Sequence, residues 1–101
     1  MLAKHPKLQV KQAMVKLVPE GRCLSHAAVC RLVDQAMTRG ARQVVIDLDR
    51  VDEATTSAFA QLVLLRRTLL ALGRDLCLTN LRDRAAGLFE VNRLDKVLPT
   101  V

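Results

Sequence analysis

The sequence predicts an α/β protein with a small mixed β-sheet and helices packed mainly on one face. Two apolar, β-type runs, residues 44–48 and 75–79, alternate with segments whose apolar residues recur at helical spacing. The chain has 101 residues and half of them are hydrophobic, which is enough for one core but few layers. We therefore expect residues 1–101 to form a single domain.

The first elements expected along the chain are a hairpin and a helix. Residues 8–11 and 14–18 each resemble a short strand, and the turn-forming residues 19–21 close the pair. Ser25 can cap the helix that follows, and Gly40 suits its end. One buried stripe at i, i+3, i+4, i+7 and i+8 is formed by Val29, Leu32, Val33, Ala36 and Met37.

The middle of the chain contains the predicted central strand. Residues 44–48 form a nearly continuous β-branched run, typical of a strand that is buried on both faces. A long helix is expected from about Thr56 to Gly73, because its apolar residues again follow helical spacing. Its predicted apolar stripe is Ala58, Leu62, Leu65, Leu69 and Leu72. Residues 75–79 follow as a strand, 82–91 as a helix packed through Ala85, Leu88 and Phe89, and 94–101 as an extended tail.

The segment after the central strand is the best candidate for a functional site, since α/β sheets place their sites at the carboxyl ends of strands. Residues 47–53 hold four acids and one arginine in a chain of net charge +6, and three hydroxyl residues, 55–57, come next. One interpretation is that Thr55 or Thr56 caps the helix and the acids are solvated or favour its dipole. The alternative is a phosphorylation switch, since a phosphate in a first helical turn meets free N–H groups and adds about −1.5 to −2 charges that would repel a docked partner.

These segments resemble a STAS domain, the fold of the anti-sigma factor antagonists. The family typically has a strand ending in Asp-Leu, an Asp-Ser-Ser-Gly-Leu motif that opens a helix, a turn containing glycine, a strand ending near Asn-Leu, and a helix with Leu-Phe-Glu. The corresponding residues are Asp47-Leu48, Thr55-Thr56-Ser57-Ala58-Phe59, Gly73, Asn80-Leu81 and Leu88-Phe89-Glu90. Thr55 stands where the motif has Asp, and Ala58 where it has Gly.

The resemblance implies a non-enzymatic protein-binding switch in bacterial signalling and transcription regulation. In the family, a serine/threonine kinase that is also an anti-sigma factor phosphorylates the helix-opening motif, and only the unphosphorylated domain binds it. Ser57 is then the first candidate phosphoacceptor and Thr56 the second. The expected partner-binding residues are Asp47, Asp49, Asp52, Thr55, Ala58 and Phe59. The family also includes scaffolds that are never phosphorylated and regulatory subunits of ABC lipid transporters, whose partner would be the ATPase subunit.

Other classes are disfavoured by what the sequence lacks. With four glycines and no phosphate-binding glycine loop, an enzyme is not expected, nor is a cofactor or a metal. A receiver-type site at Asp47 and Asp49 would need a lysine from a later strand, and none lies between Lys16 and Lys96. Nucleic-acid binding is disfavoured because two phenylalanines are the only aromatic residues. The absence of a membrane-spanning run and of a secretory signal pattern predicts a cytoplasmic location.

Overall fold

The structure of the protein, a computed structural model, describes residues 13–101. The strands are β1 (Met14–Leu17), β2 (Cys23–Leu24), β3 (Gln43–Asp47), β4 (Glu53–Ala54) and β5 (Asp75–Thr79). The helices are α1 (His26–Arg39), α2 (Thr56–Ala71) and α3 (Asp83–Val91), followed by a short 3-10 helix (Leu94–Lys96). The predicted α/β class is confirmed.

The main sheet has three strands in the order β1-β3-β5, so β3 is the central strand, as predicted. Both of its strand pairs are parallel, with Val44 opposite Val15 on one side and Leu76 on the other. The first strand of the expected opening hairpin, residues 8–11, lies outside the described residues. The second strand of that hairpin is β1, which pairs in parallel with β3.

Helices cover one face of this sheet. Two rows of side chains across the strands are buried on that face: Val15, Val44 and Leu76, then Leu17, Ile46 and Leu78. On the opposite face Met14 is 62% exposed and Val45 is half-buried, although Cys77 is buried. The prediction that the central strand is buried on both faces was therefore wrong, because β3 alternates between a helix-covered face and a more open one.

The helices begin and end at the residues that local chemistry favours. Ser25 caps α1 by accepting a 3.3 Å hydrogen bond from the backbone N–H of Ala28, and Gly40 ends that helix with a φ of 72°. The predicted stripes are correct except at their last residues. Met37, in the last turn of α1, is 42% exposed, and Leu72, the C-cap residue of α2, is 57% exposed.

Two further features were not expected from the sequence. The short strands β2 and β4 form a parallel pair of their own, with Cys23 opposite Glu53 and Leu24 opposite Ala54. The tail is not extended throughout: it begins with the 3-10 helix, and Thr100 then bridges to Leu78 at the outer edge of β5. Among residues 13–101, no helix is both long enough and apolar enough to cross a bilayer.

Candidate partner-binding surface

The carboxyl ends of β3 and β5 meet at one edge of the sheet because the two strands are parallel. There the Asn80 amide donates a 2.9 Å hydrogen bond from Nδ2 to Asp47 Oδ1, and the backbone N–H of Asp49 donates to the same oxygen at 3.0 Å. Lys16 Nζ lies 3.5 Å from Asp47 Oδ2. The Asn80 hydrogen bond, helped by the Asp49 N–H and by Lys16, holds the pKa of Asp47 below its ordinary value of 3.8 against the opposing effect of burial.

Asp47 therefore organises loops rather than offering a free charge to a partner. Its carboxylate joins the segment after β3 to the segment after β5, and its side chain is only 14% exposed. Asp47, one of the predicted partner-binding residues, is therefore a support for these two loops rather than an exposed charge.

The start of α2 is fixed by the small sheet. Pairing of β2 with β4 lets the backbone N–H of Thr55 donate to the carbonyl of Leu24 at 3.2 Å. Thr55 is the N-cap, and its Oγ1 accepts a 3.1 Å hydrogen bond from the backbone N–H of Ala58. Of the two capping residues considered from the sequence, the structure selects Thr55.

Thr56 and Ser57 form the exposed first turn of α2. The Ser57 hydroxyl lies 3.5 Å from Thr55 Oγ1, and the Thr55 hydroxyl is occupied as the cap. A helix begins with backbone N–H groups that have no partner within the helix, and the positive end of its dipole lies there. The two predicted phosphoacceptors are therefore accessible and lie where a phosphate would be favoured electrostatically.

The acidic residues around this turn are paired with arginines from other segments. Both Nε and Nη2 of Arg22 donate to Asp52 Oδ2, at 3.0 and 2.8 Å, and Arg84 Nη1 donates to Glu53 Oε2 at 2.7 Å. The side chains of Arg22 and Arg84 are 79% and 82% exposed. The segment 47–53, acidic in sequence, is thus part of a surface that carries charges of both signs.

Asp49 faces an open pocket on the same side of the molecule. Its lining residues are Arg22, Asp49, Arg50 and Arg82. Arg22, Arg82 and Arg84 were not singled out from the sequence, because they lie about 30 positions from the acids that they neighbour. The sequence held one signal for these arginines, which is the order of the segments. The residues before β2 and after β5 must lie near the ends of neighbouring strands.

Ala58 and Phe59 belong to the core and not to the surface. Ala58 is fully buried and Phe59 is 1% exposed, with its ring 5.7 Å from that of Phe89 in an edge-to-face arrangement. Their proposed role as an apolar contact for a partner was wrong, because both point from α2 toward the interior. The accessible residues are those of residues 52–57 together with Arg22 and Arg84, which we call the α2 entry surface.

Nothing in this surface forms a metal site: among residues 13–101, no three His, Cys, Asp or Glu side chains are grouped as metal ligands. Its chemistry is that of exposed hydroxyls, salt-bridged charges and a helix start. These features suit recognition by another protein.

A family model described as "Mlab, STAS domain" matches residues 6–100. The chain therefore belongs to the STAS domain family, whose members are generally regulatory and mediate protein–protein interactions. This confirms the resemblance drawn from the Asp47-Leu48 and Thr55–Phe59 segments.

The fold is similar to that in the NMR structure of the protein TM1081, with a TM-score of 0.70. The similarity covers 88% of this chain and 74% of that one, at 14% sequence identity, and so it concerns the fold alone. No curated protein sequence matches the chain.

Proposed function

We propose that this STAS domain is a non-enzymatic binding switch that docks a serine/threonine kinase or anti-sigma factor on the α2 entry surface. Phosphorylation of Ser57, or secondarily of Thr56, releases the partner. The observation that carries the proposal is the exposed first turn of α2, in which Thr55 holds the cap while Thr56 and Ser57 present their hydroxyls to solvent.

The chemistry of this turn supports a switch that leaves the fold intact. A phosphate on Ser57 would lie at the positive end of the α2 dipole and within reach of backbone N–H groups, so it would not destabilise the helix. It would also add about −1.5 to −2 charges beside Asp52 and Glu53. The surface that a partner contacts would then be more negative. The Thr55 cap satisfies the Ala58 N–H in the absence of the motif's usual Asp.

The first experiment is intact-mass spectrometry with peptide mapping of the protein isolated from its own cells. A phosphate on Ser57 or Thr56 is the expected result. A chain that stays unmodified under several growth conditions would contradict the phosphorylation switch.

Binding variants test the same switch directly. Ser57→Asp is expected to weaken binding to the cognate kinase or anti-sigma factor at least about tenfold, whereas Ser57→Ala should bind like the original chain. Thr38→Asp, which adds the same charge at an exposed hydroxyl residue of α1, is the matched control and should leave binding unchanged. Equal binding by Ser57→Asp and Ser57→Ala would argue against release by charge.

A second candidate function is that of a regulatory subunit of an ABC lipid transporter, since the STAS family to which the chain belongs includes such subunits. Here the α2 entry surface would dock on the ATPase subunit without phosphorylation. Co-purification of an ABC ATPase with the tagged chain, unaffected by Ser57→Ala, would decide for this function. Co-purification of a kinase would decide for the switch.

A further inference from the structure

An apolar groove runs between α1 and α2. No charged residue lines it; its lining residues are Val33, Met37, Gln61, Leu64, Leu65 and Thr68. Leu64 is 56% exposed and Met37 is 42% exposed. Large apolar side chains that line one groove at this exposure indicate a surface that another element covers.

The pattern of α2 strengthens this indication. On its sheet side the helix buries Leu62, Leu65 and Leu69, while Leu64 and Thr68 face the groove on its outer flank. A helix with apolar residues on two sides is typical of one that is covered on two sides. Among residues 13–101, only the sheet side of α2 is fully covered.

The rims of the groove carry opposite charges. Exposed Arg67 follows Leu64 by three positions on α2, and exposed Asp34 precedes Met37 by three positions on α1. Residues three apart are neighbours on a helix surface. A two-fold axis along the groove would place the α2 rim of one molecule against the α1 rim of the other, and so Arg67 against Asp34.

From these features we propose that the groove is the interface of a symmetric dimer and that its occupant is a second copy of this chain. The apolar residues pack across the axis, and Arg67 of each molecule meets Asp34 of the other. A symmetric interface must be self-complementary, and this groove has each element that such an interface needs.

Charge also favours this surface over the rest of the molecule. Each chain carries a net charge of +6, so two copies repel each other at long range. They can approach most easily through a region without charged lining residues, with the attractive pair at its rim. The area that this groove can bury is small compared with the roughly 1,200–2,000 Å² of standard interfaces. We therefore expect a weak dimer with a Kd on the order of 10–100 μM.

Sedimentation equilibrium of the full chain from about 5 μM to about 1 mM tests the proposal, because this range spans the expected Kd. Leu64→Lys is expected to raise the Kd at least about tenfold by placing a charge in the interface. Leu70→Lys is the matched control: Leu70 is also on α2 and 47% exposed, but it lies outside the groove and should change the Kd less than about twofold. Far-UV circular dichroism establishes that both variants stay folded.

A charge exchange tests the rim. Arg67→Asp alone should weaken the dimer, and Asp34→Arg combined with it should restore most of the loss, because the pair is then reversed rather than broken. The proposal is overturned by a chain that stays monomeric to about 1 mM. It is equally overturned by a dimer that Leu70→Lys weakens as much as Leu64→Lys does, since association would then use another face.

Discussion

Asn80 holds Asp47 through a 2.9 Å hydrogen bond and so joins the carboxyl ends of β5 and β3. The two residues are 33 positions apart, and Asn80 adopts a left-handed backbone conformation with a φ of 59°. Asparagine tolerates that conformation better than most residues, and its side chain bonds the neighbouring loop at the same time. The contact therefore supports the edge of the sheet that leads toward the α2 entry surface.

Replacing Asn80 separates these two roles. Asn80→Ala should lower the free energy of unfolding by about 2 kcal/mol, because it removes the hydrogen bond and leaves a less tolerant residue in the left-handed region. Asn80→Gly loses only the hydrogen bond and should cost about 1 kcal/mol. Urea unfolding measures both, and a larger loss for glycine than for alanine would contradict the backbone argument.

Stability should decrease in acid because two carboxyl groups are held in their charged forms. The pKa of Asp75 lies below its ordinary value of 3.8, chiefly because Arg66 Nε donates to it at 2.7 Å, and the pKa of Asp47 is lowered by Asn80. A lowered pKa in the folded state adds stability above the unfolded pKa, and that stability is lost as pH falls through the folded pKa.

We therefore expect the free energy of unfolding to fall between about pH 5 and about pH 2. Urea unfolding across this range, compared with Asp75→Asn, measures the effect. The variant should show a shallower pH dependence because its amide does not titrate there. An identical pH dependence in the two proteins would show that Asp75 contributes nothing to it.

The Thr55 cap should be replaceable only by residues with a side-chain acceptor. Thr55→Ala removes the bond to the Ala58 N–H and should cost about 1 kcal/mol of stability. Thr55→Asp restores the residue usual in the family and should keep or improve stability, because a carboxylate also favours the helix N-terminus. Thermal unfolding distinguishes them, and equal melting temperatures for the alanine and aspartate variants would argue against the cap.

Changes at Phe59 should damage the core rather than the binding surface. Phe59→Ala is expected to cost about 3–5 kcal/mol, because it removes a buried ring that packs on Phe89. Phe59→Leu, which retains most of the apolar volume, should cost less and should bind a partner like the original chain. A folded Phe59→Leu protein that selectively lost binding would return Phe59 to the binding surface.

The sequence by itself determined the three strands of the main sheet, the three α-helices and the family. β3 and α2 are visible because their apolar periodicity is local, and the ends of α1 are visible because Ser25 and Gly40 act on neighbouring backbone. The exposed turn at Thr56 and Ser57 was also predictable, since it follows from where α2 begins.

Only the tertiary structure decided which residues of that region are exposed and how their charges are paired. Arg22 pairs with Asp52 and Arg84 pairs with Glu53, each across about 30 positions of sequence. Because of these pairs, a segment that is acidic in sequence forms a surface with charges of both signs. Phe59 is separated from Ser57 by two positions, yet the helical turn directs it into the core. Charge balance and burial depend on residues that are distant along the chain, and no local pattern records which of them the fold brings together.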